Sequence, residues 1–293
     1  MRDFEYLAPA SLAEAIDLLQ QHGARARVLA GGTDLVLMMT DKVAAPDHVI
    51  DIKNIPELKV LKVQDGGLEI GAAVPFRAIE TSPECKRLYP GLVEAAAEVG
   101  SWQIRNLATV GGNLCTASPA AEIAPILLAL DAQVTIAGPR GTRKLPLQQF
   151  FTGVRRTVLE SDELLVRVEV PPPTARAGSH YIKFKERQKM DIAFVGVAAA
   201  VDLDDRAGAD GAIRDAKIAL GAVAPTPIRA PKAEATLRGQ RLTDAVLEEA
   251  GREAAEASRP ITDVRASAEY RREMVNVLTK RAVRQAYALA AQG

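Results

Sequence analysis

The residues best spaced for chemistry in this chain are backbone ones. Gly31-Gly32 lies in "LAGGTDLVLMM", with Thr33 and Asp34 behind it; Gly111-Gly112 lies about 80 residues later in "TVGGNLCTASPAAE", with Asn113 behind it. A Gly-Gly step can take φ > 0 and lets N–H groups approach a ligand with no Cβ in the way. Successive N–H groups in such a turn form a concavity that binds anions. Two such loops converging on one pyrophosphate would hold a dinucleotide without a basic side chain. Thr33, Asp34, Thr109 and Asn113 would add short hydrogen-bonding groups. Either pair alone reads first as a plain tight turn; it is the recurrence, each time after a β-type run, that points to a ligand.

Side-chain chemistry is sparse. There is no G-x-G-x-x-G and no G-x-x-x-x-G-K-[ST], which excludes the Rossmann fingerprint and the P-loop. A G-x-S-x-G elbow is also missing. His22, His48 and His180 stand far apart, with no metal-binding spacing. Cys85 and Cys115 cannot build a disulfide framework or a four-thiolate cluster site. Cys115, beside the second glycine pair, reads as a small buried apolar residue rather than a redox thiol. No catalytic or metal-ligating residue is therefore assigned. Lys+Arg and Asp+Glu both number 37, so the basic excess of a nucleic-acid binder is absent. No apolar run is long enough to span a membrane, and "MRDFEYLAPAS" has no secretory h-region, so a cytoplasmic location is expected.

The elements that must position the glycine pairs can be read in outline. Ser11 and Glu14 form a capping box before "LAEAIDLLQQH", whose Leu12, Ala15, Ile16 and Leu19 share one face until Gly23 stops the helix. "ARVLAGG" and "HVIDI" read as strands, and "LKVLKVQDGGLEIGAAV" as a hairpin about Asp65-Gly66-Gly67. Residues 82–99 read as helical with a break at Pro90-Gly91, and a further helix is expected from about Pro119 to Leu130. "AQVTIAG" and "RKLPL" suggest a second hairpin. "ELLVRVEVPPP" is a strand ended by three prolines, which places a domain boundary near Pro171–Gly178. Beyond it, "YIKFKER", "FVGVAAAVDL" and "AIRDAKIALGAV" read as strands, followed by helices at about 229–238, 243–257 and 268–290. Strands in a run and then helices in a run predict an α+β domain.

Six segments carry a resemblance: "LAGGTDLV", "IGAAV", "RNLATVGGNLCTASPAAE", "FFTGVRRTVLESDELLVRVEVP", "YIKFKERQKMDIAFVGVAAAV" and "IALGAVAPTPIRAPKAEATLRG". In order, and over nearly the whole chain, they resemble the FAD-binding medium subunits of molybdenum hydroxylases, of the xanthine dehydrogenase and carbon monoxide dehydrogenase type. The resemblance implies an α+β fold: a vanillyl-alcohol-oxidase-like (PCMH-type) FAD-binding domain of two subdomains, 1–56 and 57–175, and a C-terminal α+β domain, 176–293, with an antiparallel sheet and helices. It implies noncovalent FAD with its pyrophosphate between the glycine loops. Matched motif to motif, the binding residues are Val28, Leu29, Ala30, Gly31, Gly32, Thr33, Asp34 and Leu35 in the first loop. In the second they are Thr109, Val110, Gly111, Gly112 and Asn113, with Thr116 close by. Glu122 stands where the family has an acid near the cofactor, Leu165 where a backbone contact to the flavin is expected, and Lys183 where a lysine reaches the flavin or its acceptor side. Taken alone, Glu122 is equally an ordinary acid at a helix start, Leu165 a core side chain, and Lys183 a solvated strand-edge lysine in "KFKERQK".

The resemblance further implies an oxidoreductase subunit that hydroxylates nothing itself. Electrons would come from a small subunit with two [2Fe–2S] clusters, fed by a molybdenum cofactor in a large subunit, and pass through FAD to NAD⁺ or another acceptor. The assembly implied is a dimer of heterotrimers. Relatives with an extra [4Fe–4S] cluster carry a cysteine-rich insertion, which two cysteines exclude. Two alternatives stay open: a self-sufficient flavin oxidoreductase of the same fold acting on a small substrate, and a binding or assembly module whose glycine turns are structural.

Overall fold

The computed structural model describes residues 1–188, 190–204 and 211–292. The chain begins with β1 (Glu5–Leu7), α1 (Leu12–His22), β2 (Ala26–Leu29), α2 (Leu35–Thr40) and β3 (His48–Asp51). Its three strands form a parallel sheet in the order β1-β3-β2. Ser11 Oγ accepts the Glu14 N–H (3.2 Å) to cap α1, and Gly23, at φ +52, ends it. The apolar run after Asp34 is the helix α2, so the first glycine pair is a strand-to-helix turn.

Next come the hairpin β4 (Leu61–Gln64) and β5 (Gly67–Gly71), then α3 (Phe76–Thr81), α4 (Pro83–Leu88), α5 (Pro90–Ala97), α6 (Trp102–Leu107), α7 (Val110–Thr116) and α8 (Ile123–Ala129). The hairpin is as expected: Asp65 (φ +53) and Gly66 (φ +79) are both left-handed, as a type I′ turn demands. After α8 follow β6 (Gln133–Gly138), β7 (Gly141–Pro146), a small hairpin of β8 (Phe151–Gly153) and β9 (Arg156–Thr157), and β10 (Leu164–Val170). An antiparallel sheet in the order β4-β5-β10-β6-β7 results. The helix expected from Pro119 starts only at Ile123. Pro119 and Ala120 lie instead in a turn, where the Ser118 hydroxyl accepts the Ala120 N–H (3.3 Å) and the Ser118 carbonyl the Ala121 N–H (3.0 Å).

Beyond the three prolines, β11 (Ala177–Phe184), β12 (Val195–Leu203), β13 (Ile213–Gly221) and β14 (Ile228–Arg229) form an antiparallel sheet. It is covered by α9 (Pro231–Leu237), α10 (Asp244–Ala257) and α11 (Ala268–Ala290), the strand-then-helix order expected. The two halves interlock: α5 and α8 pack on this sheet, and the Glu94 carboxylate pairs with His180 (2.8 Å) and accepts the Tyr181 N–H (2.8 Å). Among the described residues no helix is long and apolar enough to cross a membrane.

A cleft between the two glycine segments

A cleft of about 810 Å³ opens where the first sheet meets α6 and α7, within the range of roughly 300–1,000 Å³ usual for ligand sites. Its geometry depends on backbones that nearly touch. A Cβ on Gly31 would lie 2.0 Å from the Leu107 carbonyl oxygen, and one on Gly111 would lie 2.6 Å from both Cβ and the carbonyl oxygen of Ala72. The two segments are also joined by Thr116 Oγ1 donating to Asp34 Oδ2 (3.3 Å). Gly112 differs: a Cβ there would meet only Thr109 Oγ1 at 3.0 Å, because its open side faces the cleft.

The second glycine pair is not the bare turn expected. It forms the first turn of α7, and of the four glycines only Gly32 has a positive φ, +75. Its N–H groups are already used. Val110 donates to the Val74 carbonyl (3.1 Å), Gly111 to that of Ala72 (2.9 Å), Gly112 to the capping Thr109 Oγ1 (3.1 Å) and Asn113 to the Thr109 carbonyl (3.0 Å). In the first loop the situation is reversed: the N–H groups of Gly32, Thr33, Asp34 and Leu35 have no acceptor among the described residues. Asn113 Oδ1, on the facing helix, is buried and likewise unpartnered among them. One wall thus supplies backbone donors suited to an anion, and the other supplies close approach and an amide.

Most of the residues expected at a site converge here. Val28, Ala30 and the whole run Gly31 to Leu35 line the cleft from one side; Thr109, Gly111, Gly112, Asn113 and Thr116 line it from the other. Glu122 and Leu165 lie on its wall as well. Leu165 is buried at a β-bulge, where the pairing of β10 with β6 slips between Leu165 and Arg167 and the Val166 carbonyl accepts the Ala72 N–H instead (2.8 Å). Three residues do not line it. The Leu29 carbonyl is taken by the Ile52 N–H (3.0 Å), and Val110 is wholly within the core. Lys183 is no solvated edge residue. Its side chain is 1% exposed, and its Nζ donates to Glu122 Oε1 (2.8 Å) and the Glu98 carbonyl (3.1 Å), so it meets the cleft only through Glu122. Cys115 was expected to be buried; it is exposed on the cleft wall, because Val110, Gly111 and Leu114 take the inner face of α7.

Other lining residues escaped the sequence reading, among them Gly100, Ile104, Arg155, Met190 and Ile192. A signal for the first two existed: in "VGSWQIRN" Gly100 precedes Ser101, which caps α6 by accepting the Ile104 N–H (3.3 Å). Arg105, almost fully buried, holds this rim. Its Nε and Nη2 fork onto Glu80 (2.9 and 3.1 Å) while its Nη1 donates to the Val99 carbonyl (3.1 Å). Arg77 adds a third contact to Glu80 (3.0 Å) and lies 4.5 Å over the Trp102 ring. Burial alone would push the Glu80 carboxyl up, but the hydrogen bonds from Arg105 and Arg77 outweigh it and hold it below its ordinary 4.5. A carboxyl lowered by folding contributes its full stabilisation above the unfolded value and loses it as pH falls through the folded one. The melting temperature is therefore expected to fall below about pH 4.5, and Glu80→Gln should flatten that fall in a pH series of thermal melts.

The family model described as the FAD binding domain in molybdopterin dehydrogenase matches residues 2–173, and that of the CO dehydrogenase flavoprotein C-terminal domain matches 179–286. The chain is 36% identical to the xanthine dehydrogenase FAD-binding subunit of Escherichia coli O157:H7, over 99% of this chain and 98% of that one. It is 34% identical to the carbon monoxide dehydrogenase medium chain of Hydrogenophaga pseudoflava, over 98% of each. The solved carbon monoxide dehydrogenase of that organism superposes with a TM-score of 0.93 at 35% identity, covering 98% of both chains. This chain belongs to the FAD-binding medium subunits of the xanthine dehydrogenase and carbon monoxide dehydrogenase family. It binds FAD and forms part of an oxidoreductase, on the α+β fold the sequence led us to expect.

Proposed function

We propose that FAD lies in this cleft with its pyrophosphate on the first glycine loop. The observation that carries the placement is the row of four N–H groups, Gly32 to Leu35, left without acceptors among the described residues on the cleft wall. Asn113 and Thr116 face them across the cleft, and Gly112 leaves room where a Cβ would intrude. Glu122 and the Leu165 backbone serve the flavin end, and Lys183 holds Glu122 from behind. Bound FAD supplies redox chemistry, taking electrons singly or in pairs; the chain binds it, orients it and sets its surroundings.

On this reading the chain is a relay subunit. Electrons arrive from [2Fe–2S] clusters of a small partner subunit, having started at a molybdenum cofactor in a large one, and leave to NAD⁺ or another acceptor. The assembly is a cytoplasmic dimer of heterotrimers, and the chain divides into units 1–56, 57–175 and 176–293. Support comes from the relatives' naming as medium chains and FAD-binding subunits, and from a cysteine count of two, too few for a cluster of its own. Native purification through a tag on this chain tests it. The expected result is a yellow complex containing iron and molybdenum, whose flavin is reduced by the complex's substrate only while the partners are present. Substrate turnover by the isolated chain would overturn the relay and favour a self-sufficient flavin enzyme.

A further inference from the structure

Arg155 lines the cleft, and its guanidinium makes no hydrogen bond or ion pair with any described residue. Its neighbours are committed. Arg143 forks onto Glu163 (3.1 and 2.6 Å), and Arg140 reaches the same carboxylate at 3.6 Å. Glu163, the acid on this part of the wall, is thereby neutralised without Arg155. Glu122 is likewise answered by Lys183 (2.8 Å).

The backbone at Arg155 is unusual too. Val154 and Arg155 make the two-residue turn between β8 and β9, and Arg155 has φ +54 while Val154 is not left-handed. A turn left-handed only at its second central position is one that glycine normally fills. A non-glycine residue there carries strain of the kind that clusters at ligand-binding positions. The turn is pinned by the Arg155 N–H donating to the Ala117 carbonyl (3.0 Å), and Ala117, at the end of α7, is itself left-handed at φ +47. A strained turn docked beside Thr116 thus holds an uncommitted guanidinium on the cleft wall.

We propose that Arg155 is an anion-binding residue of this cleft, taking a phosphate through its planar fork. The fork matches a pair of phosphate oxygens and keeps its charge at any working pH. The phosphate belongs either to FAD itself or to a phosphate-bearing electron acceptor that docks on the FAD-loaded cleft. The proposal rests on the FAD placement given above.

The test uses the full-length chain as wild type, Arg155→Gln, Arg155→Lys and Arg155→Gly. In the first arm, FAD and riboflavin are titrated into the FAD-free chain by flavin fluorescence. In the second, NAD⁺ and inorganic pyrophosphate are titrated into the FAD-loaded chain by calorimetry. If Arg155 holds the phosphates of FAD, Arg155→Gln weakens FAD binding about tenfold and leaves riboflavin unmoved. If it serves an acceptor, FAD binding is unchanged and NAD⁺ or pyrophosphate binding weakens by about the same factor. Arg155→Lys should recover part of either loss. Arg155→Gly should melt at a higher temperature than wild type yet bind as weakly as Arg155→Gln, because glycine relieves the turn. A purely structural arginine would not separate binding from stability in this way. Unchanged binding in both arms overturns the proposal. If the wild-type chain takes up no FAD, the cofactor placement fails, and pyrophosphate titration of the FAD-free chain then judges Arg155 by itself.

Discussion

Gly31→Ala is expected to lose both FAD and stability, whereas Gly112→Ala is expected to lose FAD affinity while gaining stability. The two glycines look alike in sequence but meet different surroundings. A Cβ on Gly31 would sit 2.0 Å from the Leu107 carbonyl oxygen and 2.9 Å from the Ala108 Cα, so backbone must move. Overpacking of this kind costs about 3 kcal/mol, which in a chain of this size corresponds to a fall in melting temperature of roughly 6–12 °C. The movement separates the first loop from α6 and spoils the donor row. At Gly112 a Cβ meets only Thr109 Oγ1, at 3.0 Å, which a few tenths of an ångström relieves. Alanine in place of glycine within α7 favours the helix by about 0.5–1 kcal/mol. The same methyl projects into the cleft and blocks close approach of the cofactor. Paired thermal melts and FAD titrations check both. Equal effects of the two substitutions on stability would contradict the distinction drawn between them.

Glu122→Ala carries the second large effect. It strips the partner from an ammonium whose side chain is 1% exposed, leaving Lys183 only the Glu98 carbonyl at 3.1 Å. Breaking a buried pair from one side costs about 3–5 kcal/mol, again roughly 6–20 °C in melting temperature. Lys183→Met should cost less, because the carboxylate it abandons faces the cleft and can meet water. Combining Lys183→Met with Glu122→Gln should cost less than the sum of the single changes, and a double-mutant cycle of thermal melts gives the coupling directly. A coupling near zero would show that the pair is not a unit.

What could be read in advance was whatever is local. Ser11 and Glu14 announce α1, Asp65-Gly66 announces its hairpin, and α11 spans 268–290 as its apolar spacing suggests. Helix α2 and the three-residue β1 were not foreseen: the first is six residues long, and the second is largely exposed and pairs only with β3, some 40 positions on. The second glycine pair was misread as a turn because its helix is completed by the distant carbonyls of Ala72 and Val74. Lys183 sits in a run of charges that looks solvated; what buries it are Glu98 and Glu122, 85 and 61 residues away. The motifs therefore led to residues that converge on one cleft, while the contacts of individual residues there depended on partners that spacing does not encode.

The parallel sheet of β1, β2 and β3, with strands of only three and four residues, has a consequence for what a bound cofactor does to stability. The buried side chains around it, Ala15, Leu19, Ala26, Ile50 and Ile52 among them, belong to one core shared with the second sheet. Any molecule bound across the seam between them acts as a clasp, adding about 4 kcal/mol when present at a thousand times its dissociation constant. Loading with FAD should then raise the melting temperature further as the cofactor concentration rises, because the bound form is the folded one.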